Sequence, residues 1–124
     1  MAGGKPVFAK LIEEENWRLD VKAVEAKITP KTKGIVITTP SNPTGAVFSE
    51  KDLRALGKLA LEKDIIVIAD DPYAFLVYDD NRYFSLTHIP ELKENRISCY
   101  SFSKEFAMSG LRIGYVYADE GICN

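Results

Sequence analysis

Four short apolar runs, Ile35 to Thr39, Ile65 to Ala69, Ile97 to Phe102 and Ile113 to Ala118, restrict this chain more than any other feature. Each has the length of a strand and falls short of an ordinary helix. The first three are β-branched or aromatic and nearly continuous rather than alternating, which is the pattern of a strand covered on both faces by helices. About thirty residues separate the starts of the first two, room for a crossover helix and therefore for parallel pairing. Only about ten lie between Phe102 and Ile113, fewer than a parallel crossover needs, so the last strand is expected to return antiparallel. The expectation is an α/β fold: a three-layer α/β/α arrangement around a mostly parallel sheet with one antiparallel strand near an edge.

The helices between the runs have local signals. Ser49-x-x-Asp52 resembles a capping box, and Leu53, Leu56 and Ala60 follow it at helical spacing. Asp20 is placed to cap a second helix whose apolar face carries Val21, Val24 and Ile28. A further strand is expected from Val7 to Leu11, and Pro72 to Asn95 reads as irregular and aromatic with room for one helix. At 124 residues the chain supports one core. Its sixteen basic residues are scattered among eighteen acidic ones, so no stripe tracks a phosphate backbone and nucleic acid is not an expected partner. No run approaches the ~20 apolar residues of a membrane span, and no apolar leader follows the first residues, so a cytoplasmic location is the default expectation. Cys99, Cys123 and the lone His88 form neither a disulfide framework nor a metal set.

In an open α/β sheet, ligands bind outside the carboxyl ends of the strands. Just past the first run stands Pro40-Ser41-Asn42-Pro43-Thr44-Gly45, past the second Asp70-Asp71-Pro72-Tyr73, and at the third Ser101-Phe102-Ser103-Lys104. Taken singly, each has an ordinary reading. The first is a good turn sequence, the aspartates could cap whatever follows the strand, Lys104 could be a solvated surface lysine, and Arg112 could be an ion-pair partner. Their order argues otherwise: an amide, a carboxylate, a phenol, hydroxyls and an amine follow successive strands and would meet along one rim.

These motifs resemble the signature of the class I/II aminotransferases, the aspartate aminotransferase superfamily of fold type I. The similarity runs from about Pro6 to Gly121 and is most specific at Ser41 to Val47, Ala69 to Tyr73, Ser101 to Lys104 and Met108 to Tyr115. It implies pyridoxal 5'-phosphate held covalently by Lys104, with Asp70 facing the pyridine nitrogen and Asn42 and Tyr73 hydrogen-bonding the ring hydroxyl oxygen. Ser101, Ser103 and Arg112 would bind the phosphate. Lys104, Asp70 and Tyr73 are thereby the expected catalytic residues, acting on an amino acid and a 2-oxo acid. The residue types suit the task. A carboxylate about 3 Å from a pyridinium gains roughly 5 kcal/mol gross at an effective dielectric of about 20, which favours the protonated ring. A lysine can both hold an aldehyde and carry a proton, and an arginine presents planar donors to two phosphate oxygens at once.

Related families on this fold, the β-lyases and oxoamine synthases, usually carry histidine where Tyr73 stands. Other relatives of the fold serve as ligand-binding domains of regulators, so a lyase and a regulator domain are the alternative readings. Members of the family are considerably longer than this chain. Residues 1–124 are therefore expected to be the central part of the cofactor-binding large domain, without its first strands, its small domain or the partner subunit of a homodimer. Little or no transaminase activity is expected of these residues alone.

Overall fold

The computed structural model describes residues 3–123. Its sheet is built from β1 (Gly34–Thr38), β2 (Ile66–Asp70), β3 (Arg96–Ser101) and β4 (Gly114–Ala118), paired in that spatial order. β1, β2 and β3 run parallel, and β4 returns antiparallel to β3, as the short connection required. Each expected run lies within one residue of its strand. The segment Val7 to Leu11 forms no strand; the only pairing near it is an isolated antiparallel bridge between Ile12 and Arg18. Val7 and Phe8 stand largely in solvent, and no described strand lies beside them to satisfy a ladder.

Helix α1 (Val21–Glu25) begins as expected, with Asp20 accepting from the Ala23 N–H at 3.1 Å and Val24 buried. It ends after little more than one turn and does not extend to Ile28. Pro30 biases Thr29 away from the helical region, and the chain turns before reaching it. Helix α2 (Glu50–Glu62) is the crossover between β1 and β2. The Ser49 hydroxyl accepts from the Asp52 N–H at 3.1 Å and donates to the Asp52 carboxylate at 2.9 Å, closing the cap that the sequence announced. The connection from β2 to β3 is mostly irregular, with two 3₁₀ segments, Leu86–His88 and Pro90–Asn95, in place of a single helix. Two short helices complete the chain, α3 (Phe102–Glu105) and α4 (Glu120–Cys123).

Two of the three expected layers are present among the described residues. α1, α2 and the 3₁₀ segments pack on one sheet face, where Ile37, Val67 and Ala69 join Leu53, Leu56, Ala60, Leu86 and Leu92 in one core. Alternate positions point the other way. On that second face Val36 is 68% exposed, Ile68, Ile97 and Cys99 are half-buried, and Val116 is exposed. The second face is as apolar in sequence as the first, which is why the runs read as continuous. At the β3–β4 junction, a side chain on Gly114 would collide with the Tyr100 carbonyl, so only glycine lets the two strands meet there.

Because only one face carries a core, equal truncations on the two faces should differ sharply. Leu56→Ala is expected to lower unfolding free energy by about 2–5 kcal/mol. Val36→Ala should change it by no more than about 0.5 kcal/mol. Urea denaturation of both variants measures the contrast, and a similar loss for each would show that the second face is covered in solution.

Candidate functional site

The parallel ladder fixes where the polar motifs lie. Thr38 is in register with Asp70, and Asp70 with Cys99, so the three strands end along one rim. The loop 39–48 leaves β1 there, the turn 71–76 leaves β2 there, and α3 with Lys104 leaves β3 there. Asp70 alternates with buried Ala69 and therefore points to the open sheet face.

The loop after β1 is a tight closed turn. Ser41 and Ala46 are joined by a backbone hydrogen bond of 2.9 Å, and the Gly45 N–H donates to the Ser41 carbonyl at 2.7 Å. Gly45 has φ of +72°, a conformation glycine adopts without penalty. Phe48, buried beneath the loop, donates its N–H to the Thr39 hydroxyl at 2.9 Å. Both X-Pro bonds of the loop, Thr39–Pro40 and Asn42–Pro43, are cis. This shape carries the Asn42 amide to the Tyr73 phenol of the next motif, 3.4 Å away. Between the two loops opens a cleft of about 410 Å³ that Asn42, Tyr73, Val47 and Tyr78 help to line.

At the end of β3, Ser101 caps α3 by accepting from the Ser103 N–H at 3.2 Å. Ser103 is buried, and its hydroxyl accepts from Arg112 Nη1 at 3.3 Å. The same Nη1 donates to the Ser109 carbonyl at 2.8 Å, while the Ser109 hydroxyl donates to the Ser103 carbonyl at 3.1 Å. Arg112 itself has φ of +52°, so a non-glycine residue is held in the left-handed region at this point. Lys104 is exposed, and among the described residues neither it nor Asp70 joins an ion pair. The structure thus joins Asn42 to Tyr73 and Ser101 to Ser103 and Arg112, and sets Asp70 and Lys104 on the same rim.

Asp71 caps no helix, since none directly follows β2. Its side chain is buried, and one oxygen accepts from the Tyr83 hydroxyl at 2.8 Å. The other oxygen is buried without a partner. Burial pushes the carboxyl up to about 6, Asp70 adds to the rise, and the Tyr83 bond opposes it. Burial also raises the Cys99 thiol, with Asp70 and Asp71 contributing. Tyr83 and Ser109 are the two contributors that the sequence reading did not single out. Tyr83 meets a residue twelve positions away from within an irregular stretch, and Ser109 lies inside the Met108 to Tyr115 motif, where nothing in the sequence marks its bond to the Ser103 carbonyl.

The sequence pattern of the family described as aminotransferase class I and II matches residues 1–124. Aromatic-amino-acid aminotransferase 2 of Thermococcus litoralis is 41% identical over 122 residues, covering 98% of this chain and 31% of that protein. Aspartate aminotransferase of Bacillus subtilis is 40% identical over 123 residues, again 98% of this chain and 31% of that protein. Among solved structures, the aromatic aminotransferase of Pyrococcus horikoshii superposes with a TM-score of 0.94 at 42% identity, over 98% of this chain and 32% of that one. A mutant of Thermus thermophilus aspartate aminotransferase gives 0.92 at 36% identity, over 98% and 31%. The chain spans about a third of the length of the relatives it matches.

The Asp71 carboxyl makes stability depend on pH in a definite sense. Its folded value lies above the unfolded one of 3.8, so the folded state binds the proton more tightly. The contribution is complete below about pH 4 and is lost as pH rises through about 6. Asp71→Asn should remove that dependence. Measured by thermal unfolding from pH 4 to 7.5, the wild-type chain should lose on the order of 2–3 kcal/mol at most relative to the variant. Parallel curves for the two proteins would contradict the assignment.

Proposed function

This chain belongs to the class I and II aminotransferases, and from that membership we propose that it forms the cofactor-holding rim of an enzyme that moves an amino group from an amino acid to a 2-oxo acid. The group held at the rim is pyridoxal 5'-phosphate, and Lys104 is the lysine that binds it. One observation carries the reading: an amine, a carboxylate, an amide–phenol pair and a serine–arginine cluster stand at the carboxyl ends of three successive parallel strands.

The donor set fits that group. Asp70 presents a carboxylate on the open face, where a pyridine nitrogen would need an anion. Asn42 and Tyr73, already within 3.4 Å of each other, offer two hydrogen-bonding groups that converge on a single oxygen. Ser101, Ser103 and Arg112 supply two hydroxyls and a planar cation for a phosphate, with the guanidinium oriented by its bonds to Ser103 and the Ser109 carbonyl. Pyridoxal phosphate supplies an aldehyde that condenses with amines and a protonated ring that withdraws electrons from the substrate α-carbon.

The rest of the chemistry belongs to the chain. Asp70 would supply the negative charge that favours a protonated ring nitrogen. Lys104 Nζ would hold the aldehyde, and as a free amine it would be the base that takes the α-carbon proton. Tyr73 at the phenol position supports transamination over the lyase reading. Because the chain covers about a third of its relatives, turnover, choice of amino acid, a homodimeric assembly and a cytoplasmic location are assigned to a polypeptide of the relatives' length. No helix of the described residues is long and apolar enough to cross a membrane.

Incubation with pyridoxal phosphate, borohydride reduction and peptide mass spectrometry test the reading on the chain itself. The expected result is a pyridoxyl group on Lys104 that Lys104→Ala abolishes. Modification spread evenly over the exposed lysines, or unchanged in Lys104→Ala, would overturn it.

A further inference from the structure

We propose that Asp71 is a positioning residue of the same site: its side chain, through Tyr83, closes the excursion between β2 and the first 3₁₀ segment and thereby holds Tyr73 against Asn42. The inference rests on the proposed role of Asn42 and Tyr73, and it deepens that role by naming what sets their geometry.

Asp71 is tied to β3 and begins a turn. Its N–H donates to the Cys99 carbonyl at 2.9 Å, tying the end of β2 to β3, and its carbonyl accepts from the Ala74 N–H at 3.4 Å. The Tyr73 carbonyl accepts from the Leu76 N–H at 2.9 Å, so Tyr73 sits inside a fold of the chain anchored at Asp71. Beyond it the excursion has little else to fix it. Phe75 and Tyr78 are 67% and 71% exposed, and the side-chain bond within this stretch is the local one from Asn81 to the Tyr78 carbonyl.

The return is made at Tyr83, which donates to the Asp71 carboxylate at 2.8 Å. Two residues later Ser85 meets the Tyr100 hydroxyl at 3.1 Å, and Tyr100 stacks on Tyr115 with ring centroids 4.8 Å apart. The Asp71–Tyr83 bond therefore closes a loop between residues twelve apart, beside the Ser85–Tyr100 contact that docks the far end on β3. Removing that bond leaves the segment that carries Tyr73 to its own backbone turns and the Ser85 contact, and so loosens it.

The tie is costly to the fold, which argues that it is kept for the site. A carboxyl 3% exposed, with one oxygen unpartnered, is a poor structural element compared with an apolar side chain. The titratable groups that act on it or through it are Asp70 at the end of β2, Cys99 on β3, and Tyr83 with Tyr100 behind it; none is a cation. Ionisation strengthens the bond from Tyr83, because a charged acceptor holds a donor more tightly than a neutral one. The same ionisation is resisted by burial and by Asp70. The strength of the tie therefore changes across the range in which Asp71 titrates, and Tyr73 with its Asn42 contact should change with it.

The test needs no cofactor, so its outcome is independent of whether Lys104 is labelled. The side-chain amide signals of Asn42, identified by their loss in Asn42→Ser, are followed by nitrogen–proton NMR from pH 4.5 to 8 in four proteins. These are the wild-type chain, Asp71→Asn, Tyr83→Phe, and Ile89→Ala as a control that destabilises the core away from the rim. In wild type and control the signals should shift with a midpoint near 6, the value set by the buried carboxyl. The shift should vanish in Asp71→Asn and shrink several-fold in Tyr83→Phe. A flat wild-type response, an undiminished shift in either Asp71→Asn or Tyr83→Phe, or an equal loss in Ile89→Ala would each overturn the inference. Should one of the two tie variants fail to fold, the other carries the same decision.

Discussion

Parallel pairing of β1, β2 and β3 is the constraint on which the rest depends. Strands that run the same way must be joined by crossovers, so each of the three ends at the same edge of the sheet and hands its following residues to the same side of the molecule. Asn42, Asp70 and Lys104 are far apart in the chain, and no local interaction could collect them. The register of Thr38 with Asp70 and of Asp70 with Cys99 does so. α2 makes the first crossover possible, and its cap at Ser49 starts that helix immediately after the loop that carries Asn42.

The site inherits its character from the uneven coverage of the sheet. One face is closed by a core of leucines, isoleucines and Phe48, which fixes the strands. The other face is open, and Asp70 points there together with Cys99. A planar aromatic ligand can approach that face without displacing the core. Rigidity comes from beneath, by way of the packed face, while access comes from above. Around the rim the hydrogen bonds are of the holding kind: Ser101 fixes the first turn of α3, Ser109 fixes the Ser103 carbonyl, and the Ser103 hydroxyl and Ser109 carbonyl orient the Arg112 guanidinium.

Much of this was legible in the residues because the signals are local or periodic. The four runs located the strands to within a residue, the short gap after Phe102 gave β4 its direction, and Ser49 and Asp20 marked two helix starts. Length was harder to read. Helix α1 stops short of Ile28 because the Thr29–Pro30 step competes with the apolar spacing, and Val7 to Leu11 has strand-like residues but no described neighbour to pair with. The continuous runs implied two covered faces, whereas the described residues cover one. The partner of Asp71 was not legible for a different reason. A carboxylate after a strand looks like a cap, and the phenol that meets it stands twelve residues on, inside a stretch without periodicity. Contacts of that kind arise only once the sheet has brought the two segments together.

The claim that three strand ends converge at Lys104 can be measured directly in solution. A nitroxide is attached at position 104 through Lys104→Cys, in a background of Cys99→Ser and Cys123→Ser, and its broadening of backbone amide signals is mapped. Signals of Asn42, Thr44, Gly45, Asp71, Tyr73 and residues 101–103 should be lost while those of Gly34, Ile66, Ile97 and Ala118, at the opposite ends of the strands, persist. Broadening at those opposite ends, with Asn42, Thr44, Gly45, Asp71 and Tyr73 unaffected, would contradict the shared rim and the cofactor site built on it.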